Sequence, residues 1–258
     1  MKQGIMTMKK TMIALSLLPA LGFALTAEEK QTMLQANYKA LEAQGLPTPN
    51  GGTLQVVPAD TIKTKDWNKK KMNAESRELK KNGFINQSSD RAYELIHIED
   101  KIKKSRGIEK QMFKANESHL RTKAQDIQFA YTYVPIPKSV YKKVHGIAPV
   151  GTYVKEDNAI GWTGAVTFFN TDFAQCAYTE NNLVAAHGVA RIAQEESTEE
   201  VNGKVTLVDV QGNDSTGYVY HVNWFDPVFN HSLECATSAY SNDVTVKTID
   251  MAKQIDSK

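Results

Sequence analysis

Cys176 and Cys235 are the only cysteines in this 258-residue chain, and whether they are joined constrains the fold more than any other pair of residues. A bridge closes a loop of about sixty residues and stabilises the folded state by roughly 4 kcal/mol in the chain-entropy treatment. Each cysteine sits in a short segment that reads as a strand, 174–178 and 233–236. Ala174, Cys176 and Tyr178 share one face of the first segment, and His231, Leu233 and Cys235 one face of the second. If those faces meet, across one sheet or between two, the sulfurs come within bonding reach. The pair lacks the C-x-x-C spacing of a redox or zinc motif.

A disulfide needs an oxidising compartment, and the amino-terminal residues predict one. Lys9 and Lys10 precede an apolar run, 12–25, broken only by Ser16, Pro19 and Gly22. A short basic region, an apolar stretch and a small-residue exit form a secretory signal peptide. Cleavage is expected after Ala27, with Ala24 as the alternative. The run is about fourteen residues, whereas a membrane span needs roughly 20, so it reads as a leader rather than an anchor. No second stretch is long and apolar enough to cross a bilayer. The expectation is a periplasmic or secreted protein with no transmembrane span after cleavage of residues 1–27.

Beyond the leader the charge is uneven. The net formal charge is only +2, yet residues 60–123 hold 17 Lys and Arg against 10 Asp and Glu. Residues 144–258 hold 6 against 15. The basic half concentrates its charge in Lys69, Lys70 and Lys71, in Lys80 and Lys81, and in Lys101, Lys103 and Lys104. Such clusters suit an anionic surface or an acidic partner; on short helices they also serve simply as solvated faces. Outside the cytoplasm nucleic acid is the less available polyanion, so no nucleic-acid partner is expected. The expected partner is an envelope or extracellular one, either a protein or an anionic surface.

Periodicity changes along the chain. Residues 28–44 read as a helix ended by Gly45, followed by a breaker cluster, 46–52, and an extended piece, 54–57. Residues 67–83 form a second helical segment with Gly83 as its terminating glycine. Asp90 is the expected cap of a third, on which Leu95, Ile98 and Ile102 align on one face. Segments 127–134, 162–169, 174–178 and 183–192 read as extended, the last also fitting a helix. Asn202-Gly203 marks a two-residue hairpin turn, because both central residues need positive φ. A strand from Lys204, a loop at 211–217, a return strand at 218–225 and strands at 233–236 and 244–249 complete the set, with a short tail helix from Asp250. The fold class is α+β: an N-terminal helical, basic region (28–123), then an acidic β-rich region (124–258) built as a mostly antiparallel sheet or sandwich with one disulfide.

Chemistry is weakly signalled. His187, His221 and His231 lie near Asp209, Asp226 and Glu234 in sequence, but no spacing fixes two metal ligands on one element. No G-x-S-x-G elbow is present, and Ser215, Ser232 and Ser238 enter a triad only by arbitrary choice. Cys176 with His187 resembles a thiol pair only if the disulfide is absent. No nucleotide-binding loop occurs, and no cofactor or metal is expected. Tyr218, Tyr220 and Trp224 share one face of the return strand; they line a ligand groove or, as the default, form core around the disulfide. The functional expectation is an exported, non-enzymatic binding protein, with a secreted hydrolase sited in the β-rich half as the alternative.

Overall fold

The computed structural model describes residues 53–59, 62, 66–104, 123–156 and 159–257. All belong to a compact unit spanning Pro49–Lys258. The signal peptide and the helix expected at 28–44 fall on residues outside the described ones, as does the side chain of Lys69.

In chain order the elements are β1 (Thr53–Val57), α1 (Asp66–Asn82), β2 (Ile85–Asn86), α2 (Asp90–Ile96), β3 (Lys143–Glu156), β4 (Ala159–Asn170), β5 (Gln175–Asn182), β6 (Val189–Ala193), β7 (Thr198–Val201), β8 (Lys204–Asn213), β9 (Gly217–Phe225), β10 (Phe229–Thr237) and α3 (Asn242–Asp256). The main sheet runs β2-β8-β9-β10-β5-β4-β3, with β7 also on β8, and β1 pairs with β6 in a separate two-stranded parallel sheet. All main-sheet pairs are antiparallel except β2 with β8. Strands from both sides of residue 123 share these sheets.

The disulfide joins two adjacent strands. Cys235 sits directly opposite Cys176 in the β10–β5 register, the bridge is formed, and both residues are fully buried. It ties the β4–β5 side of the sheet to its last strand and encloses the Asn202-Gly203 turn. Both residues of that turn have positive φ, 48° and 72°, and Val201 pairs with Lys204, as a two-residue turn requires.

Bulky residues on both faces of β9 imply that both are covered, and they are. On one face Val222 and Trp224 pack with Tyr178, Phe169, Leu233, the disulfide and Met251, Ala252 and Ile255 of α3. On the other, Val219 packs with Ala177, Ala236, Val166 and the α2 residues Ala92 and Leu95. Helix α2 starts where Ser89 caps it: the Ser89 Oγ accepts from the Ala92 N–H at 3.1 Å, and Asp90 occupies the first turn. The cap is therefore Ser89, not Asp90. Both side chains suit a cap, but Ser89 has extended backbone and so reaches the N–H three residues on. Removing this cap in Ser89→Ala is expected to cost about 1 kcal/mol, read as a lower urea midpoint; an unchanged midpoint would refute the role. Helix α1 ends at Gly83, whose φ is +80°, and a side chain there would also run into the Tyr240 hydroxyl.

Further sequence expectations need correction. The segment 183–192, read as extended, is a turn over 183–187 followed by β6. Residues 244–249 are helical, inside α3, because Val244, Thr248, Met251 and Ile255 form a buried stripe at helical spacing; the run of β-branched residues hides it. The tail helix thus begins at Asn242, eight residues before Asp250. Residues 127–134 form no strand: Phe129 makes one isolated bridge to Trp162. The Tyr131 and Tyr133 hydroxyls bond to Glu180 and Thr167, which draws this segment across the sheet face rather than along its edge.

Candidate functional site

Of the lysines singled out from the sequence, those on α1 stand apart from those that follow α2. Among the described side chains of α1, the exposed charged ones are Lys70, Lys71, Arg77, Lys80 and Lys81, all cationic. Glu75 and Glu78 lie on the half-buried side. There Glu78 Oε1 accepts from the Asn86 N–H at 3.2 Å, and Glu75 makes a 3.5 Å pair with Lys71. Lys70, Arg77 and Lys81 recur at seven and four residues and so fall on one stripe. In the helical residues 98–104 the charge is locally cancelled instead. Lys101 pairs with Glu94 at 2.9 Å and Lys103 with Glu99 at 3.3 Å, while Lys104 is exposed. Arg77 escaped the sequence reading because it sits between acidic residues in the chain; helical geometry alone separates it from them.

Tyr218, Tyr220 and Trp224 are 4%, 1% and 0% exposed. Trp224 belongs to the core under α3, and the two tyrosines pack with Phe84 and Tyr240. They form core, and the ligand-groove expectation for them is set aside: each hydroxyl is taken up internally, Tyr218 by Asp214 and Tyr220 by the Ser241 N–H.

His221 and His231 each join a carboxylate network, one on each face of the sheet. On the α2 face, His221 Nδ1 lies 2.9 Å from Asp209 Oδ2 and its Nε2 3.5 Å from Glu234 Oε1. Arg91 donates to Glu234 through Nε, at 2.9 Å, and through Nη2. Burial alone would lower the His221 pKa, but bonds and charge from Asp209 and Glu234 outweigh it and raise the pKa to about 9. Burial would raise the Glu234 pKa, yet His221 and Arg91 bring it down to about 2. On the α3 face, Tyr178 hydroxyl bonds to Glu180 at 3.0 Å and meets His231 Nδ1 at 2.8 Å. His231 Nε2 lies 3.6 Å from Asp226, and Lys204 bridges Asp226 and Asp256. Burial, then the Glu180 charge, holds Tyr131 and Tyr178 well above the ordinary phenol range.

Comparison with known protein families, curated proteins and solved structures finds no match. The local chemistry must therefore speak for itself. An imidazolium held between two carboxylates has no lone pair at neutral pH and is not a general base. Cys176 is bonded to Cys235 and is no nucleophile. Among the described residues no serine takes part in either histidine network. Among the described residues no group of three or more His, Cys, Asp or Glu is arranged to hold a metal, and no helix is long and apolar enough to cross a membrane.

Proposed function

We propose that this chain is an exported, non-enzymatic interaction protein that docks on an anionic envelope surface through the outer face of α1. The observation that carries the reading is the sorting of charge on that helix: its described, exposed charged side chains are five cations, and both described acids are half-buried. Glu75 offsets Lys71, so the outward field rests chiefly on Lys70, Arg77 and Lys81, whereas Lys101 and Lys103 are paired with Glu94 and Glu99. A face of this kind attracts anionic headgroups by roughly 1 kcal/mol per cation near the surface, falling off within a Debye length. Export is supported by the leader pattern and by a buried disulfide, which suits an oxidising compartment. The hydrolase alternative has no comparable support, since His221 is held protonated and Cys176 is bridged.

Two measurements test this. Mass analysis of the native protein should find an amino terminus near Glu28 or Leu25; intact Met8 in a cytoplasmic pool refutes export. Co-sedimentation with phosphatidylglycerol-containing vesicles should exceed that with pure phosphatidylcholine and fall steeply as salt rises. Equal binding to both refutes the docking face.

A further inference from the structure

The outer edge of β8 is paired at both ends and open between them. β7 reaches it at Lys204 and Thr206, and β2 at Gln211 and Gly212. Among the described residues no strand pairs with 207–210 on this side. Four residues of strand, about 13 Å, are thus left without a neighbour. Which backbone groups face this gap follows from the turn. A two-residue Asn-Gly turn makes Val201 and Lys204 a hydrogen-bonded pair, so even-numbered residues of β8 direct N–H and C=O outward. Two bonds agree: Thr198 Oγ1 donates to the Thr206 carbonyl at 3.4 Å, and the Gln87 N–H donates to the Gly212 carbonyl at 3.3 Å. By the same alternation Val208 and Val210 point their backbone groups into the gap.

A cleft of about 410 Å³ opens there, roofed by the inner side of α1. Leu207, Val208 and Asp209 all line it; three consecutive strand residues can do so only where the strand presents its edge. Met72, Leu79 and Ile85 supply apolar wall, and Glu195 and Glu196 outweigh the one lysine, Lys80, while Glu75 and Asp209 are paired with Lys71 and His221.

We infer that this cleft accepts an extended segment of a partner protein, basic and apolar in alternation, which adds to β8 as a strand between β7 and β2. Main-chain bonds to Val208 and Val210 supply the pairing, and alternate side chains meet the acidic and apolar walls. Lys80 lines this site but Lys70, Arg77 and Lys81 do not, so it does not depend on the docking face that those three form.

The probe is a capped heptapeptide alternating lysine and valine, titrated into the purified protein while amide resonances and hydrogen exchange are followed. Binding should slow exchange at the Val208 and Val210 amides at least tenfold. N-methylating the peptide residues that face β8 keeps its charge but removes its donors, and should weaken binding at least tenfold. Replacing the peptide lysines by glutamate should do the same. Glu196→Lys with Glu195→Gln should weaken it threefold or more; the glutamine keeps an acceptor for the Ala59 N–H that Glu195 serves, and both side chains are exposed. Undiminished binding of the N-methylated peptide would reduce the interaction to charge attraction and overturn the inference. So would perturbations that avoid β8, no binding at millimolar peptide, or Val208 and Val210 amides already protected without peptide, which would mean a segment of this chain fills the edge. Replacing Lys70, Arg77 and Lys81 by glutamine, none of which lines the cleft, should leave the peptide titration unchanged.

Discussion

Cys176→Ala, Cys235→Ala and the double variant are each expected to lose about 4 kcal/mol of folding stability, against a typical total of 5–15 kcal/mol. The bridge joins residues 59 apart, and the loop it closes in the unfolded chain contains β6, β7, β8 and β9. Native contacts change little on its loss, because the β5–β10 ladder pairs the same two positions without it. The cost therefore falls chiefly on the unfolded ensemble, so three variants that all open the loop should be similar. Both sulfurs lie in the core, so a reductant reaches them only after the sheet opens; the wild type should keep its bridge in reductant until it is denatured. Urea titration of the variants and thiol counting in unreduced protein check this. Two free thiols in protein taken from its native compartment would refute it.

Glu234→Ala is expected to cost about 3 kcal/mol at neutral pH, the low end for breaking one partner out of a buried ion pair, because Arg91 and Glu234 are only half-buried. The carboxylate stands between Arg91 and His221, and its loss leaves two cations facing each other on a covered sheet face. The pH dependence carries a sign that can be checked. His221 titrates at about 9 in the fold, above about 6.5 for the free side chain. Its contribution is complete below about 6.5 and disappears as pH rises through 9, amounting to roughly 3 kcal/mol. Glu234 titrates at about 2, below its ordinary 4.5, so its contribution is present above 4.5 and lost as pH falls through 2. Between those limits the cluster is at full strength. Urea midpoints measured from pH 5 to 10 should fall for the wild type and much less for His221→Gln. Parallel curves for the two would contradict the charge network.

Much of the β-rich half was legible because its signals are local. Asn202-Gly203 states its own turn, the alternation on β9 announces a strand covered on both faces, and two cysteines on strand-like segments leave one pairing. Where the reading failed, contacts remote in sequence decide the outcome. The β-branched residues of 244–249 favour a strand locally, but the α3 stripe that extends to Ile255 packs on Trp224 and the disulfide and holds them helical. β3 went unread because Gly146, Pro149 and Gly151 break its alternation; as the sheet's outer strand it tolerates all three, Gly146 and Gly151 beside register shifts and Pro149 opposite Ala165. The lysine clusters were visible as composition, but their sorting was not. Only the burial of Glu75 and Glu78 separates a net basic face on α1 from the balanced surface after α2. The open edge of β8 had no sequence signal, since it is defined by where β7 and β2 stop.

The docking face on α1 is tested most directly by one comparison. Partitioning onto vesicles containing phosphatidylglycerol, at about 0.1 M salt where the Debye length is about 10 Å, is measured for the wild type and for Lys70→Gln, Lys71→Gln, Arg77→Gln, Lys80→Gln and Lys81→Gln combined. All five side chains are exposed, so the variant should keep the wild-type fold by circular dichroism. Its partition coefficient is expected to fall at least a hundredfold; a folded variant that binds as the wild type does would contradict the proposal.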